Sequence, residues 1–375
     1  MKKKALIITN RSFNLIRSRL PLMLRLKQDG WEVTAIAHQQ KGYEGVVESY
    51  GIEFLHCPLR DNIFNLKVSF KIIMLFYRLI KAKKYDVIHC FTPKPIIFFG
   101  LLSRLMKISS CKICTITGFG FQGQSTLLQR LVLWFYRMFL LKYDGVIFEN
   151  QTAKEIAIKQ KITVAEKIFV QISSGVDLKK FQLRKKKQIP IKIIFASRLV
   201  WSKGIRELFE AMEKIKIEFK ENILIIIAGE IEQDHKEAVP LEFLQSYSKK
   251  GLIDYVGQLK PSEVPDLLVN GHIMVLPSYF EGASKSLMEG AAAGLALVAT
   301  DIPGCREMII QNRNGYLVPP RNSDKIHENL RKLIRNPDKI VEFGEYSRKL
   351  AEKNFDQEKL SEATTHFYYK KMVDL

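Results

Sequence analysis

Short apolar runs alternate with amphipathic stretches along most of this chain. In the first half, Lys4–Thr9, Glu32–Ala37, Ile52–Pro58, Val87–Phe91, Lys112–Thr117, Gly145–Glu149 and Ile168–Ile172 read as strands. Each is a brief apolar or β-branched run bounded by turn residues, as a strand buried on both faces requires. Between them, Leu15–Asp29, Lys67–Lys84, Ile96–Met106 and Thr126–Lys142 carry helical spacing. The second half repeats the alternation. Strands are predicted at Lys192–Ala196, Ile223–Ala228, Ile253–Val256, Ile273–Leu276 and Leu297–Thr300. Helices are predicted at Gly204–Lys216, Leu241–Lys250, Ser262–Val269 and Ser284–Ala293, with a charged helical tail after Ser323. Strand–helix alternation of this kind predicts α/β architecture, with parallel sheets covered on both faces.

The polar, basic stretch Phe181–Pro190 breaks the pattern and reads as a linker. With 375 residues the chain is long for one core. The expectation is an N-terminal domain over 1–180, a linker over 181–190 and a second domain over 191–357. A C-terminal helix over 358–375 is available to pack back on the first domain. Two successive doubly wound domains predict a ligand in a crevice at the carboxyl ends of their strands.

Charge separates the halves. Residues 1–180 hold 29 Lys/Arg against 12 Asp/Glu, and the remainder hold 30 against 27, so most of the formal +20 belongs to the first half. A one-sided positive field calls for an anionic partner: nucleic acid, anionic lipid or a phosphate-bearing substrate. Three basic stretches rich in aromatics lie there, Asn65–Lys84, Lys94–Lys107 and Leu127–Lys142. Basic amphipathic helices suit a membrane interface, and an anionic membrane surface is the favoured partner. The alternative is that they are core helices of a large α/β domain. The chain shows no nucleic-acid-binding module, so nucleic acid is not expected. The apolar run after Met1-Lys2-Lys3-Lys4 is too short for a signal peptide, and no window suits a membrane span. The expected location is cytoplasmic, at the inner face of the plasma membrane.

The five cysteines are odd in number and scattered, which argues against a disulfide framework. Cys111-Lys112-Ile113-Cys114 has no second pair at zinc spacing and reads as strand. The seven histidines form no ligand pair and there is no Asp-x-Asp. No metal or cofactor is expected. Gly118-Phe119-Gly120-Phe121-Gln122-Gly123 matches a dinucleotide-binding pattern, with Asp144 downstream. It follows the fifth strand rather than the first, and Phe121-Gln122 are bulky for a pyrophosphate turn. A glycine loop facing the cleft is the preferred reading over a dehydrogenase.

The densest chemistry is Glu281-Gly282-Ala283-Ser284-Lys285-Ser286-Leu287-Met288-Glu289. It follows the apolar run Ile273–Leu276, giving strand, acidic loop and helix N-terminus. The amides of such a terminus suit a phosphate. One carboxylate before the helix and one two turns into it can grip hydroxyl-rich groups on either side of that phosphate. A sugar joined to a nucleoside through a diphosphate has this layout. Arg198 and Lys203 follow the first strand of the second half and can clamp a diphosphate as its charge grows.

Taken together, Arg198…Lys203-Gly204, Glu281-x7-Glu289 and Ala293-Gly294-x3-Val298 strongly resemble the retaining glycosyltransferases of family 4. Gly175-Val176-Asp177, Pro277-Ser278-x2-Glu281-Gly282, Asp86-Val87-Ile88-His89 and Thr92-Pro93-Lys94 fit as well. The resemblance spans nearly the whole chain. The segments Ser197–Gly204 and Thr117-Gly118-Phe119-Gly120 are most similar to bacterial enzymes that add an N-acetylhexosamine to polyprenyl-diphosphate-linked sugars. It implies the GT-B fold, two Rossmann-like domains facing a central cleft, and a UDP-sugar donor. It implies that Arg198 and Lys203 neutralise the donor diphosphate, that Glu281 contacts the donor sugar and that Glu289 holds the ribose. The amides over Gly282 to Ser286, with Leu287 next in the helix, would meet sugar and phosphate. Two departures stand out. Thr117-Gly118 replaces a histidine found in many members, and Thr9–Asn14 replaces a glycine pair, leaving Arg11, Arg17, Arg19 and Lys94 as candidates for the acceptor phosphate. Other readings are a UDP-sugar epimerase and a transferase with a soluble acceptor.

Overall fold

The structure is a computed structural model of the chain. It describes all residues except 1, 44, 60–64, 120–125, 184–188 and 233–234, and leaves out the side chains of residues 66, 126, 128, 129, 131, 132 and 221. The chain folds into two compact units, one of residues 1–174 with 357–375 and one of residues 175–356.

The first unit is built on seven strands: β1 (Lys4–Arg11), β2 (Glu32–His38), β3 (Glu53–His56), β4 (Val87–Phe91), β5 (Cys111–Ile116), β6 (Gly145–Phe148) and β7 (Ile168–Val170). Their order is β3-β2-β1-β4-β5-β6-β7, and every pairing is parallel. The second unit has six: β8 (Ile191–Ala196), β9 (Ile223–Ala228), β10 (Asp254–Gly257), β11 (Ile273–Leu276), β12 (Ala296–Thr300) and β13 (Gly315–Val318). They run β10-β9-β8-β11-β12-β13, again all parallel.

The strands are apolar throughout because helices cover both faces. Successive side chains of a strand point to opposite sides. Thus Leu6 and Ile8 join one buried cluster with Ile88 and Cys90, while Ala5 and Ile7 join another with Val87 and Phe91. The C-terminal helix Gln357–Val373 belongs to the second of these clusters through Phe367 and Tyr368. Its Tyr369 hydroxyl accepts from the Trp31 indole at 3.0 Å. All five cysteines are buried and unbridged, Cys111 and Cys114 on β5.

The expected helix Leu15–Asp29 is not uniform. A wide π-turn spans Leu15–Arg19 before the α-helix Leu20–Gln28. Pro21 supplies the reason: it has no N–H to give, and its ring crowds the carbonyl four residues back. β13 and the helix Gln151–Lys159 fall where no element was expected. The chain leaves the first unit after Ser174 and returns after Asp356. The start of the 181–190 stretch is packed into the second unit, where the Phe181 carbonyl accepts from Arg348 at 2.6 Å. The rest of that stretch, 184–188, lies outside the described residues.

Candidate active site

Both sheets reverse their strand order at one point, between β1 and β4 and between β8 and β11. Loops leaving adjacent strands in opposite directions open a crevice there. In the second unit those two loops carry the densest chemistry of the sequence.

β8 ends at Ala196; the chain then makes the turn Trp201–Lys203 and starts the helix Ile205–Phe219 at Gly204. Gly204 has φ 72°, and a Cβ there would meet the Pro277 carbonyl oxygen at 2.1 Å. Only glycine therefore lets the Lys203 turn lie against the loop leaving β11. On that loop, Ser278 is fully buried and its carbonyl accepts from the Thr300 hydroxyl. Lys203 Nζ stands 2.5 Å from Glu281 Oε1, and the Ser278 hydroxyl donates to the same oxygen at 2.8 Å. Both partners of the ion pair keep only 13% of their side-chain surface exposed. Water screens such a pair less than one on the open surface.

Gly304, just after β12, supports this loop from the far side, since a Cβ there would sit 2.4 Å from the Glu281 carbonyl oxygen. Its own carbonyl accepts from the Ser284 N–H at 3.3 Å. Ser284 caps the helix Lys285–Ala292: its hydroxyl accepts from the Leu287 N–H, and its carbonyl from the Met288 N–H. Lys285 and Ser286 supply the other two amides of the opening turn. Glu289 is half-buried one turn further along. Beneath the loop, burial above all, and then the Glu281 carboxylate, pushes the Cys305 thiol far up, so it stays neutral.

The structure thus brings Lys203, Glu281 and the Gly282-Ala283-Ser284 turn together. Arg198 lies at the same end of β8 but is half exposed, and it pairs with Glu232 at 3.2 Å. Glu232, Ser278, Tyr279 and Gly304 were not singled out from sequence for these contacts. The Pro303-Gly304 turn dipeptide after an apolar run was the one local signal for Gly304.

In the first unit, Arg11 ends β1 opposite His38, Lys94 lies in the first turn of the helix Pro93–Leu105 after β4, and Thr117 follows β5. These strands are neighbours, so the three residues share one end of the sheet. The Thr117 carbonyl accepts from the Asn150 amide at 3.4 Å, and Gly118 has φ 149°. Gly120 and the rest of the glycine motif lie outside the described residues. Arg17 is exposed, its guanidinium 5.6 Å from the Phe13 ring. Arg19 turns inward instead. It pairs with Glu149 at 3.1 Å, the side chains 11% and 6% exposed, and lies 4.1 Å over the Phe91 ring. It lines a polar cavity of about 20 Å³ with His89, Thr115, Ser173 and Ser174. His89 bridges Tyr368 at 2.5 Å and Thr115 at 2.7 Å. Burial, then the Arg19 charge, holds it neutral, well below the usual histidine range. Among the described residues, no group of three His, Cys, Asp or Glu is arranged to hold a metal ion.

Residues 21–180 match the family described as Glycosyltransferase Family 4, and residues 177–350 match Glycosyl transferases group 1. The chain is a GT-B glycosyltransferase. It is 27% identical over 337 residues to the N,N'-diacetylbacillosaminyl-diphospho-undecaprenol alpha-1,3-N-acetylgalactosaminyltransferase of Campylobacter jejuni, covering 85% of this chain and 86% of that one. It is 26% identical to the UDP-Gal:alpha-D-GlcNAc-diphosphoundecaprenol alpha-1,3-galactosyltransferase of Escherichia coli, covering 72% and 71%. In fold it is similar to the sucrose-phosphate synthase of Thermosynechococcus elongatus, at a TM-score of 0.85 with 18% identity and full coverage of both chains.

Proposed function

We propose that this glycosyltransferase moves a sugar from a UDP-sugar to a polyprenyl-diphosphate-linked sugar in bacterial surface-glycan or glycoprotein-glycan assembly, with retention at the anomeric carbon. The best candidate for the sugar is N-acetylgalactosamine or another N-acetylhexosamine. The observation that carries the reading is the Lys203–Glu281 pair beside a capped helix N-terminus at the switch point of the second sheet. The names of the two relatives support the donor and acceptor classes, since both contain a diphospho-undecaprenol sugar acceptor and one names UDP-Gal.

On this reading Arg198, Lys203 and the amides over Gly282 to Ser286 hold the diphosphate, Glu281 the donor sugar and Glu289 the ribose hydroxyls. The bond from the anomeric carbon to the phosphate oxygen breaks and UDP departs with the electron pair. The acceptor hydroxyl attacks from the same face, and its proton passes to the departing phosphate oxygen. The fixed charges count most when that oxygen has become anionic, which is where pre-placed donors lower a barrier. Arg11 and Lys94 are the candidates to meet the acceptor diphosphate.

Attachment to the inner face of the plasma membrane fits the first unit. Exposed Phe70 and Tyr77 accompany Lys67, Lys71 and Arg78 on the helix Leu66–Ala82. Exposed Trp134 and Phe135 accompany Arg130 and Arg137 on the helix Thr126–Leu140. No helix among the described residues is long and apolar enough to cross a membrane. The test is UDP release from a panel of UDP-sugars with a defined polyprenyl-diphosphate sugar, alongside co-sedimentation with anionic vesicles. Turnover on none of the panel contradicts the donor reading, and absent co-sedimentation contradicts the membrane reading.

A further inference from the structure

We infer that Tyr279 is a positioning residue that sets the Lys203–Glu281 pair, an inference that rests on the site proposed above. The loops carrying the two charges leave strands that pair only briefly. β8 and β11 are in register at Ile193–Ile273 and Ile194–Met274, well short of Lys203 and Glu281. Beyond that point no ladder fixes one loop against the other, so other contacts must do so.

Tyr279 makes two of them. Its backbone N–H donates to the Ser202 carbonyl at 2.9 Å, next to Lys203 in sequence. Its hydroxyl donates to both carboxylate oxygens of Glu207, at 2.8 and 3.0 Å. Glu207 is in the first turn of the helix that the Lys203 turn opens. One residue, two positions before Glu281, thus ties the Glu281 loop to the backbone on either side of Lys203. A hydrogen bond to a carboxylate is worth about 1.5–3 kcal/mol, enough to hold two irregular loops in one arrangement.

The ring is also clamped. The Arg321 guanidinium lies 4.7 Å over it, and Arg321 has φ 59°. A non-glycine residue in the left-handed region costs energy and is kept where surrounding contacts demand it. Burial first, and Glu207 second, push the phenol up to about 12, so it remains a donor at physiological pH. The joints recruit the loop after β13, the helix after β8 and the loop after β11, three separate segments converging on one side chain.

The test is a double-mutant cycle on the full chain, read as UDP release at saturating acceptor. Tyr279→Phe removes only the hydroxyl and keeps the ring for Arg321. It is expected to lower kcat about tenfold, the rate equivalent of one lost hydrogen bond, with a smaller change in KM for the UDP-sugar. Glu207→Leu should reproduce this, while Glu207→Gln, whose side-chain oxygen still accepts the phenol, should retain most of the rate. In a Lys203→Met background Tyr279→Phe should have almost no further effect, because the residue it positions is gone. A merely structural Tyr279 would lower the unfolding temperature, leave kcat unchanged where the protein is folded, and give multiplicative losses. Either wild-type kcat in Tyr279→Phe or multiplicative losses overturns the inference while the site reading stands. Wild-type kcat in Lys203→Met overturns the site reading itself, and this inference with it.

Discussion

The two sheets of this enzyme share one strand order around their switch points and use the carboxyl ends of their strands differently. In the second unit, charges on the loops after β8 and β11 meet near the surface as Lys203 and Glu281, beside a helix N-terminus. In the first unit, the charge nearest the equivalent place, Arg19, is folded inward. It pairs with Glu149 and packs over Phe91 next to a histidine kept neutral. The parallel scaffold decides where loops can converge; the loop residues decide whether that place becomes a site or an interior polar brace.

The comparison makes separable predictions. Arg19→Met leaves Glu149 buried without its partner, and removing one member of a buried pair costs about 3–5 kcal/mol. Urea unfolding should show that loss, and the folded fraction should keep its specific turnover; lost turnover at unchanged stability would return Arg19 to the site. Lys203→Ala should do the reverse. Removal of one pre-placed donor to a developing anion costs about 10²–10³ in kcat, with little change in the unfolding midpoint because the pair is only part-buried. Gly304→Ala lies between the two, since the added Cβ pushes on the Glu281 backbone. A loss of about 1–3 kcal/mol should appear together with a fall in turnover, in calorimetry and UDP release on the same sample.

The smallest effect belongs to His89. Its folded pKa lies below the unfolded value of 6.5, so the unfolded chain takes up the proton first as pH falls. Stability that is present above 6.5 is therefore lost progressively below it. The unfolding temperature should drop between neutral pH and about pH 5.5, and His89→Gln should flatten that drop. An unchanged slope in His89→Gln would place the titrating group elsewhere.

Much of this architecture is legible in the sequence because strands covered on both faces must be apolar throughout. β4, β11 and β12 are buried end to end and were found from pattern alone. The Glu281 loop was legible for a related reason: strand, small-residue turn and capped helix are local features. β13 was missed because Gly315–Val318 is four residues long and begins with glycine. The π-turn escaped because periodicity registers apolar spacing and not the effect of Pro21 on the backbone. The inward turn of Arg19 and the pairing of Arg198 with Glu232 depend on partners 130 and 34 residues away, which no local pattern carries. The basic surplus of the first half pointed to a surface, and the exposed aromatics of two helices now give that surface particular residues.

The central claim is that Lys203 and Glu281 act together on one donor diphosphate sugar. Its most direct test is the coupling between Lys203→Ala and Glu281→Ala in transfer from a UDP-sugar to a polyprenyl-diphosphate sugar. The account predicts that each single variant loses most turnover and that the double variant loses far less than the product of the two. Single variants that keep wild-type turnover would contradict it, as would losses that simply multiply.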